Sequence, residues 1–387
     1  MNTEKLKGDK IIWIIAILLS VFSLLVVYSS TGSLAQRKRD GFNEFFLIRQ
    51  LIFVILGIAI MYTTYRIRFT YFSRIAQVLF YLSLPLMFYM ALFGPVINEA
   101  RRTLIVPGTD LTFQPGDLAK LALIMFIARF LAHKKDDIQD FKKGFLPILL
   151  WILLMCSLFI RGGLTTTAIV FSTSFIMLYM GGAKFKHLLS LVGIGIAALA
   201  LFLAVEAISG ESLSRKNTWK SRIDEFINPP NDPGSQVVLS KIAVASGGLF
   251  GKMPGNSTQR NFLQHPYSDY VFAIIIEEYG IVGGTTIVFI YLILLFRSLK
   301  IARRCDKLFG SFLVIGISFM LVFQAMINMG VVVNLLPVTG QTLPLISMGG
   351  TSFWFTCIGI GMILSVSRSV SESQNTIENI NYAPATA

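Results

Sequence analysis

Apolar runs of about 20 residues follow one another along nearly the whole chain, and each is long enough to cross a hydrocarbon core ~30 Å thick. No water reaches backbone amides and carbonyls inside lipid, so each run must pair its own polar groups as a helix. The chain is therefore expected to be all-α, a polytopic integral membrane protein with about ten transmembrane helices. The runs place them at 11–30, 45–65, 71–93, 114–132, 144–160, 164–182, 186–206, 270–296, 309–331 and 342–366. Charged residues make up 14% of the chain, against roughly 25% in a soluble domain. No soluble domain stands between the spans, and residues 1–387 read as one transmembrane domain. The first run is too long for a signal-peptide core, and no small-residue cleavage site follows it, so a retained span is expected. Cys156, Cys305 and Cys357 lie in or beside spans, without the spacing of a disulfide framework or a metal site.

A formal net charge of +13 fits either nucleic-acid binding or cytoplasmic anchoring by Lys and Arg, and its distribution favours the second. With the N-terminus inside, the short inner segments hold 18 Lys and Arg and the short outer segments hold 6, which is the asymmetry of the positive-inside rule. The cluster Arg37-Lys38-Arg39 is the local exception. This topology puts both termini in the cytoplasm and the polar stretch 207–269, between spans seven and eight, outside. No nucleic acid partner is expected. The polar tail 371–387 is expected to be disordered.

The 207–269 loop is more than a linker. It contains a Pro-rich turn from Asn228 to Gly234, an apolar patch from Val237 to Val244 fit for an amphipathic surface helix, and the run Ser246-Gly247-Gly248-Leu249-Phe250-Gly251. It ends in Tyr267-Ser268-Asp269-Tyr270, at the mouth of an apolar helix. Asn256, Ser257, Gln259, Gln264 and His265 stand just upstream. Asp269 can act as a general base on a sugar hydroxyl, or help hold a divalent cation such as Mg2+ or Mn2+. It can equally cap the helix, and spacing alone favours the cap.

A charge at mid-membrane costs ~2.5–3.5 kcal/mol on insertion scales, so each one needs a reason. Asp117 and Lys120 are three apart on an expected helix and share a face. They form either a self-neutralising pair or part of a polar cavity. Arg101 and Arg102 lie in the outer segment before that helix, where two guanidiniums can grip a phosphate or pyrophosphate. Glu277 and Glu278 read as structural partners for a neighbouring polar helix. Arg49 and Arg129 lie near span ends and can snorkel. Between Leu336 and Ser352 stand two prolines and three glycines, which rule out a regular helix. Non-helical backbone at membrane depth needs a cover of protein or a wet cavity, so this stretch is expected to line one.

With these motifs in view the chain resembles the SEDS family, which includes FtsW, RodA and SpoVE. The similarity runs through five blocks in order: Asn98-Glu99-Ala100-Arg101-Arg102; Leu111 to Lys120; Ser246 to Lys252 with Gly255-Asn256-Ser257; Ser268 to Ala273 with Glu277-Glu278; and Pro337 to Ser352. The resemblance implies ten spans and polymerisation of lipid II into glycan strands outside the membrane, with release of undecaprenyl pyrophosphate. It makes Asp269 the essential outer-loop aspartate rather than a cap. It makes Asp117 and Lys120 a cavity salt bridge, and Arg101 and Arg102 a pyrophosphate grip. Asn256, Ser257 and Ser347 become substrate-positioning residues. A divalent cation fits this chemistry, and no organic cofactor is implied. The partner implied is a class B penicillin-binding protein, a transpeptidase, with other division proteins at the septum of the inner membrane. Two departures stand out. The family usually has Ser-Glu where this chain has Gly116-Asp117, and an acid common after the fifth span is missing from Arg161-Gly162-Gly163-Leu164-Thr165-Thr166. Thr342 and the run Gln324 to Asn328 resemble the division branch (FtsW, SpoVE) more than the elongation branch (RodA). The rival readings are an elongation polymerase, a lipid II flippase, and a membrane scaffold for the transpeptidase.

Overall fold

The computed structural model describes residues 7–32, 34, 44–95, 102–105, 112–208, 222, 224–228 and 234–381. Arg101, the Arg37-Lys38-Arg39 cluster and the stretch 229–233 of the Pro-rich turn lie outside them. The described chain is built from α1 (Lys10–Ser30), α2 (Glu44–Arg66), α3 (Phe69–Phe93), α4 (Pro115–His133), α5 (Leu146–Gly162), α6 (Leu164–Met180), α7 (Phe185–Ile208), α8 (Gln236–Gly247), α9 (Val271–Arg304), α10 (Leu308–Val332) and α11 (Thr351–Asn381). All except α8 overlap one of the ten expected spans. Among the described residues seven helices are long and apolar enough to cross a membrane, α5 among them once its π-helical lead-in Phe141–Phe145 is counted. Of the rest, α4 carries Asp117, Lys120 and Arg129, while α6 and the Phe185–Ala197 part of α7 are apolar but shorter.

The fold is all-α, as expected, with a minimal antiparallel ladder in which Leu104–Ile105 pairs with Thr112–Phe113 just before α4. The tail expected to be disordered from Ser371 continues as helix to Asn381. Neither Gly nor Pro interrupts it between Gly361 and Pro384, and an established helix adds each further residue at little cost once its nucleus is formed.

The centre of the bundle is α10, buried along most of its length and packed against α4, α6, α9 and α11. Small residues permit this. A Cβ placed on Gly316 would stand 2.6 Å from the Met177 sulfur and 2.7 Å from Ile124 Cγ2, so only glycine lets α10 approach α6 and α4 this closely.

Both described chain ends meet on one face. Asp9 caps α1, accepting from the Ile11 amide at 2.9 Å. Its own amide donates to Ser367 Oγ at 2.8 Å, and its carboxylate pairs with Arg297 of α9 at 2.6 Å. At the opposite end of the same two helices, Ser29 of α1 donates to Glu278 of α9. That opposite end is where the 207–269 loop lies, and it will be called the loop side.

Candidate active site

The connection between α10 and α11 is the irregular element expected from its prolines and glycines. Gly340, Leu345 and Gly350 all adopt positive φ, and Leu343, Leu345, Ile346 and Ser347 are buried. Side chains from the bundle satisfy its backbone. Gln324 Nε2 donates to the Thr342 carbonyl at 3.0 Å, and Asn328 Nδ2 donates to the Gln341 carbonyl at 2.6 Å. Tyr291 donates its hydroxyl to the Pro344 carbonyl. Ser347 Oγ accepts from the Leu343 amide at 2.8 Å and donates to the Ser268 carbonyl at 2.7 Å. Met348 donates its amide to the Tyr267 carbonyl at 2.9 Å. The segment is thus stitched to the end of the loop, at the residues that precede α9.

Asp269 stands at that seam. Asn328 Nδ2 also bonds its carbonyl, at 2.9 Å, while Ser268 Oγ donates to its carboxylate at 3.0 Å. α9 begins after Tyr270, whose side chain makes no capping bond, so Asp269 does not occupy the N-cap position that spacing favoured. Arg102 approaches from the ladder before α4. Its Nε donates to the Gly162 carbonyl at 2.7 Å and its Nη1 to the Gly340 carbonyl at 3.0 Å. A Cβ on Gly340 would lie 3.2 Å from Arg102 Nη1 and 3.3 Å from Asp269 Oδ2, and one on Gly163 would lie 2.9 Å from Arg102 Nη2. The guanidinium and the carboxylate therefore close over two glycines that leave them room. The Arg161–Thr166 stretch thus contributes the Gly162 carbonyl to Arg102.

Burial holds Arg102 below the ordinary arginine value, Asp269 opposes that shift, and Arg222 adds to it. Arg222 comes from the loop and reaches the Val338 carbonyl at 3.5 Å, two residues from Gly340. Burial and then the Asp269 charge push the phenols of Tyr267 and Tyr270 up. The Tyr270 hydroxyl is buried without a hydrogen-bond partner among the described residues.

Deeper in the bundle, Lys120 Nζ lies 2.7 Å from Asp117 Oδ1 and donates to Gln324 Oε1 at 3.1 Å. The shorter acid does reach its lysine, and both side chains are about 5% exposed. Gln324 then joins this pair to Thr342. Gln324 and Asn328, one turn apart on one face of α10, were legible only as a branch signature. Two amides at i and i+4 in an otherwise apolar span were the signal that marked them for this role. Arg222 gave no such signal. It is one charge among several in a polar loop.

Asn256 and Ser257 do not join the Asp269 cluster. Ser257 Oγ donates to Glu277 Oε2 at 2.5 Å, and Asn256 Nδ2 donates to the Lys252 carbonyl at 3.0 Å. Glu277 also receives Lys252 Nζ at 2.7 Å and the Thr258 amide at 3.1 Å. Glu277 thus clasps the loop onto α9 rather than pairing with a neighbouring helix; Glu278 is the one that meets a helix, through Ser29 of α1. Among the described residues no group of three or more His, Cys, Asp and Glu could hold a metal. With a guanidinium beside the single carboxylate of Asp269, the residues present do not enclose a resident cation. Mg2+ binds through one or two carboxylates together with substrate phosphates, so Asp269 fits it only as one ligand beside substrate oxygens.

The family model FTSW_RODA_SPOVE, described as a cell cycle protein, matches residues 9–372. The chain belongs to the FtsW, RodA and SpoVE family. Stage V sporulation protein E of Bacillus subtilis (strain 168) is 36% identical over 380 residues, which cover 95% of this chain and 99% of that one. A probable peptidoglycan glycosyltransferase FtsW of Trichlorobacter lovleyi is 32% identical over 370 residues, covering 93% of each. Two solved structures share the fold of this family member. A chain from a structure titled for the coordination of polymerization and crosslinking by a peptidoglycan synthase complex aligns with a TM-score of 0.73 at 25% identity, over 94% of this chain and 98% of that one. The rod shape determining protein RodA of Thermus thermophilus aligns with a TM-score of 0.66 at 25% identity, over 95% and 99%.

Proposed function

We propose that this family member is a peptidoglycan glycosyltransferase of the division type. It polymerises lipid II into glycan strands at the extracytoplasmic face of the inner membrane during septal wall synthesis. The observation that carries this reading is the closure of Arg102 and Asp269 over Gly340, on a seam fixed by Asn328 and Ser347. The names of its relatives and the synthase complex support the same class of reaction.

Asp269 accepts the proton of the acceptor sugar's 4-hydroxyl as that oxygen attacks the anomeric carbon of the donor. The bond from that carbon to the phosphate oxygen breaks, and undecaprenyl pyrophosphate leaves with the electron pair. Arg102, with Arg101 and Arg222, offsets the charge that develops on the leaving group. Asp269 would be this chain's one ligand to a divalent cation, which would supply charge neutralisation to a pyrophosphate leaving group. The Asp117–Lys120–Gln324 network shapes the wall beneath, and Ser347 positions Asp269 through the Ser268 carbonyl. The loop side faces outward and the basic face, with both termini, faces the cytoplasm, in keeping with the positive-inside count. The partner is a class B penicillin-binding protein, which cross-links the strand this chain makes.

The test is polymerisation of lipid II by the purified protein, with and without its transpeptidase, comparing wild type with Asp269→Asn. Long glycan chains from wild type alone are expected. Undiminished polymer from Asp269→Asn removes the assigned base. If neither makes polymer, with partner and divalent cations present, and vesicles containing the protein move lipid II across the bilayer, the transporter reading replaces this one.

A further inference from the structure

Away from the seam, one turn carries apolar side chains with nothing described over them. Leu249, Phe250 and Met253 are 64%, 78% and 67% exposed, and the Gly248–Met253 turn that carries them holds a single charge, Lys252. Backbone geometry fixes the depth of this turn. Lys252 donates its amide to the Glu277 carbonyl at 2.9 Å, and Ile281 and Val282 donate theirs to the Gly248 and Leu249 carbonyls at 3.0 and 3.2 Å. A Cβ on Gly251 would lie 2.2 Å from the Glu278 carbonyl oxygen, and one on Gly280 would lie 2.2 Å from that of Leu249. The two strands of backbone touch where α9 kinks, and no larger residue fits between them.

Two ties between α1 and α9 locate that kink in the bilayer. Asp9 meets Arg297 at one end, and Ser29 meets Glu278 at the other. Along α1 these ties are about 20 residues apart, which is ~30 Å of helix and the thickness of a hydrocarbon core. Basic residues from Arg297 to Arg304 mark the far boundary on α9, so Glu278 marks the loop-side boundary. Ile281 and Val282, each 51% exposed, open the apolar face of α9 that continues through Phe289 and Phe296. Leu249 and Phe250 lie beside them and extend that face. The only charge in the turn, Lys252, is bonded back to Glu277 and leaves the tip apolar.

We propose that the Gly248–Met253 turn is an interfacial anchor, its Leu249, Phe250 and Met253 side chains seated among the acyl chains of the loop-side leaflet. Clasped to Glu277, it sets the depth of the first half of α9, at whose head Asp269 stands. The inference needs only membrane insertion of the bundle and is independent of the reaction proposed above.

The test places a nitroxide spin label on Phe250→Cys in the full-length protein, in a Cys305→Ser background, since the other two cysteines are buried. The protein is reconstituted into palmitoyl-oleoyl phosphatidylethanolamine and phosphatidylglycerol vesicles. Collision with oxygen, which concentrates in hydrocarbon, is compared with collision with a water-soluble nickel chelate. Labels at Ile14, 61% exposed on α1, and at exposed Lys135 provide the lipid and water references. The expected result is an oxygen-dominated signal matching Ile14. A nickel-dominated signal matching Lys135 would put the turn in water and overturn the proposal. Suppression of both would show a protein surface over the turn and overturn it equally. Leu249→Cys, measured in the same way, must agree, so that misfolding of one variant does not decide the outcome.

Discussion

Lys120→Met should destabilise the folded bundle far more than a change of side chain alone would. The ammonium has two partners, Asp117 at 2.7 Å and Gln324 at 3.1 Å, in a place where both charged side chains are about 5% exposed. Methionine matches lysine in length and removes the charge. It strands the Asp117 carboxylate, whose Oδ2 already lacks a partner among the described residues. Breaking one side of a buried pair costs ~3–5 kcal/mol, whereas replacing the whole pair with apolar groups is often neutral or better. The Gln324 carbonyl oxygen, left unpaired, adds ~1–3 kcal/mol. The double variant Asp117→Leu/Lys120→Met carries only that second penalty. Thermal unfolding in detergent should therefore rank wild type first, the double variant next, and Lys120→Met last by a clear margin. A double variant as unstable as the two single losses added together would refute the coupling and the buried-pair argument with it.

Three further predictions follow from the same geometry. Gly340→Ala puts a methyl group 3.2 Å from Arg102 and 3.3 Å from Asp269 at a φ of +63°. The left-handed backbone costs ~1–2 kcal/mol, and Arg102 and Asp269 must each give by a few tenths of an ångström, where a full ~1 Å misplacement costs ~100-fold in rate. Polymerisation should fall much further than the melting temperature, whereas Gly349→Ala, with its nearest contact at 3.5 Å, should be nearly silent in both assays. Arg222→Gln should raise the KM for lipid II and leave the protein folded, because it removes a cation that faces Arg102 from a half-buried loop position; an unchanged KM and kcat would remove Arg222 from the site. The phenols of Tyr267 and Tyr270 are held neutral above the ordinary tyrosine value, so the unfolded chain releases those protons first. Native stability should then decline as pH rises past ~10, and ultraviolet titration should show these phenols ionising only as the protein unfolds, with Tyr270→Phe reducing that late absorbance change.

The all-α character and the rough limits of the long apolar helices were written in the sequence, because lipid leaves an apolar run only one backbone solution. The irregular α10–α11 connection was equally plain, since prolines and glycines forbid a helix wherever they fall. Asp269 was visible as a residue, yet its setting was not. Spacing favoured a cap, and only the seam made by Asn328, Ser347 and Gly340 shows the carboxylate facing Arg102. Asp117 and Lys120 announced their pairing through i,i+3 spacing, while their link through Gln324 to Thr342 required α4, α10 and the connection after α10 to come together. Ser257 reads in sequence like a loop residue available to a sugar. In the fold its hydroxyl is consumed by Glu277. Sequence by itself determined what each segment must do with its own backbone in lipid. Tertiary structure decided which side chains meet, because those meetings join residues as far apart as Asp9 and Ser367, 358 positions, through the packing of helices whose neighbours no local pattern specifies.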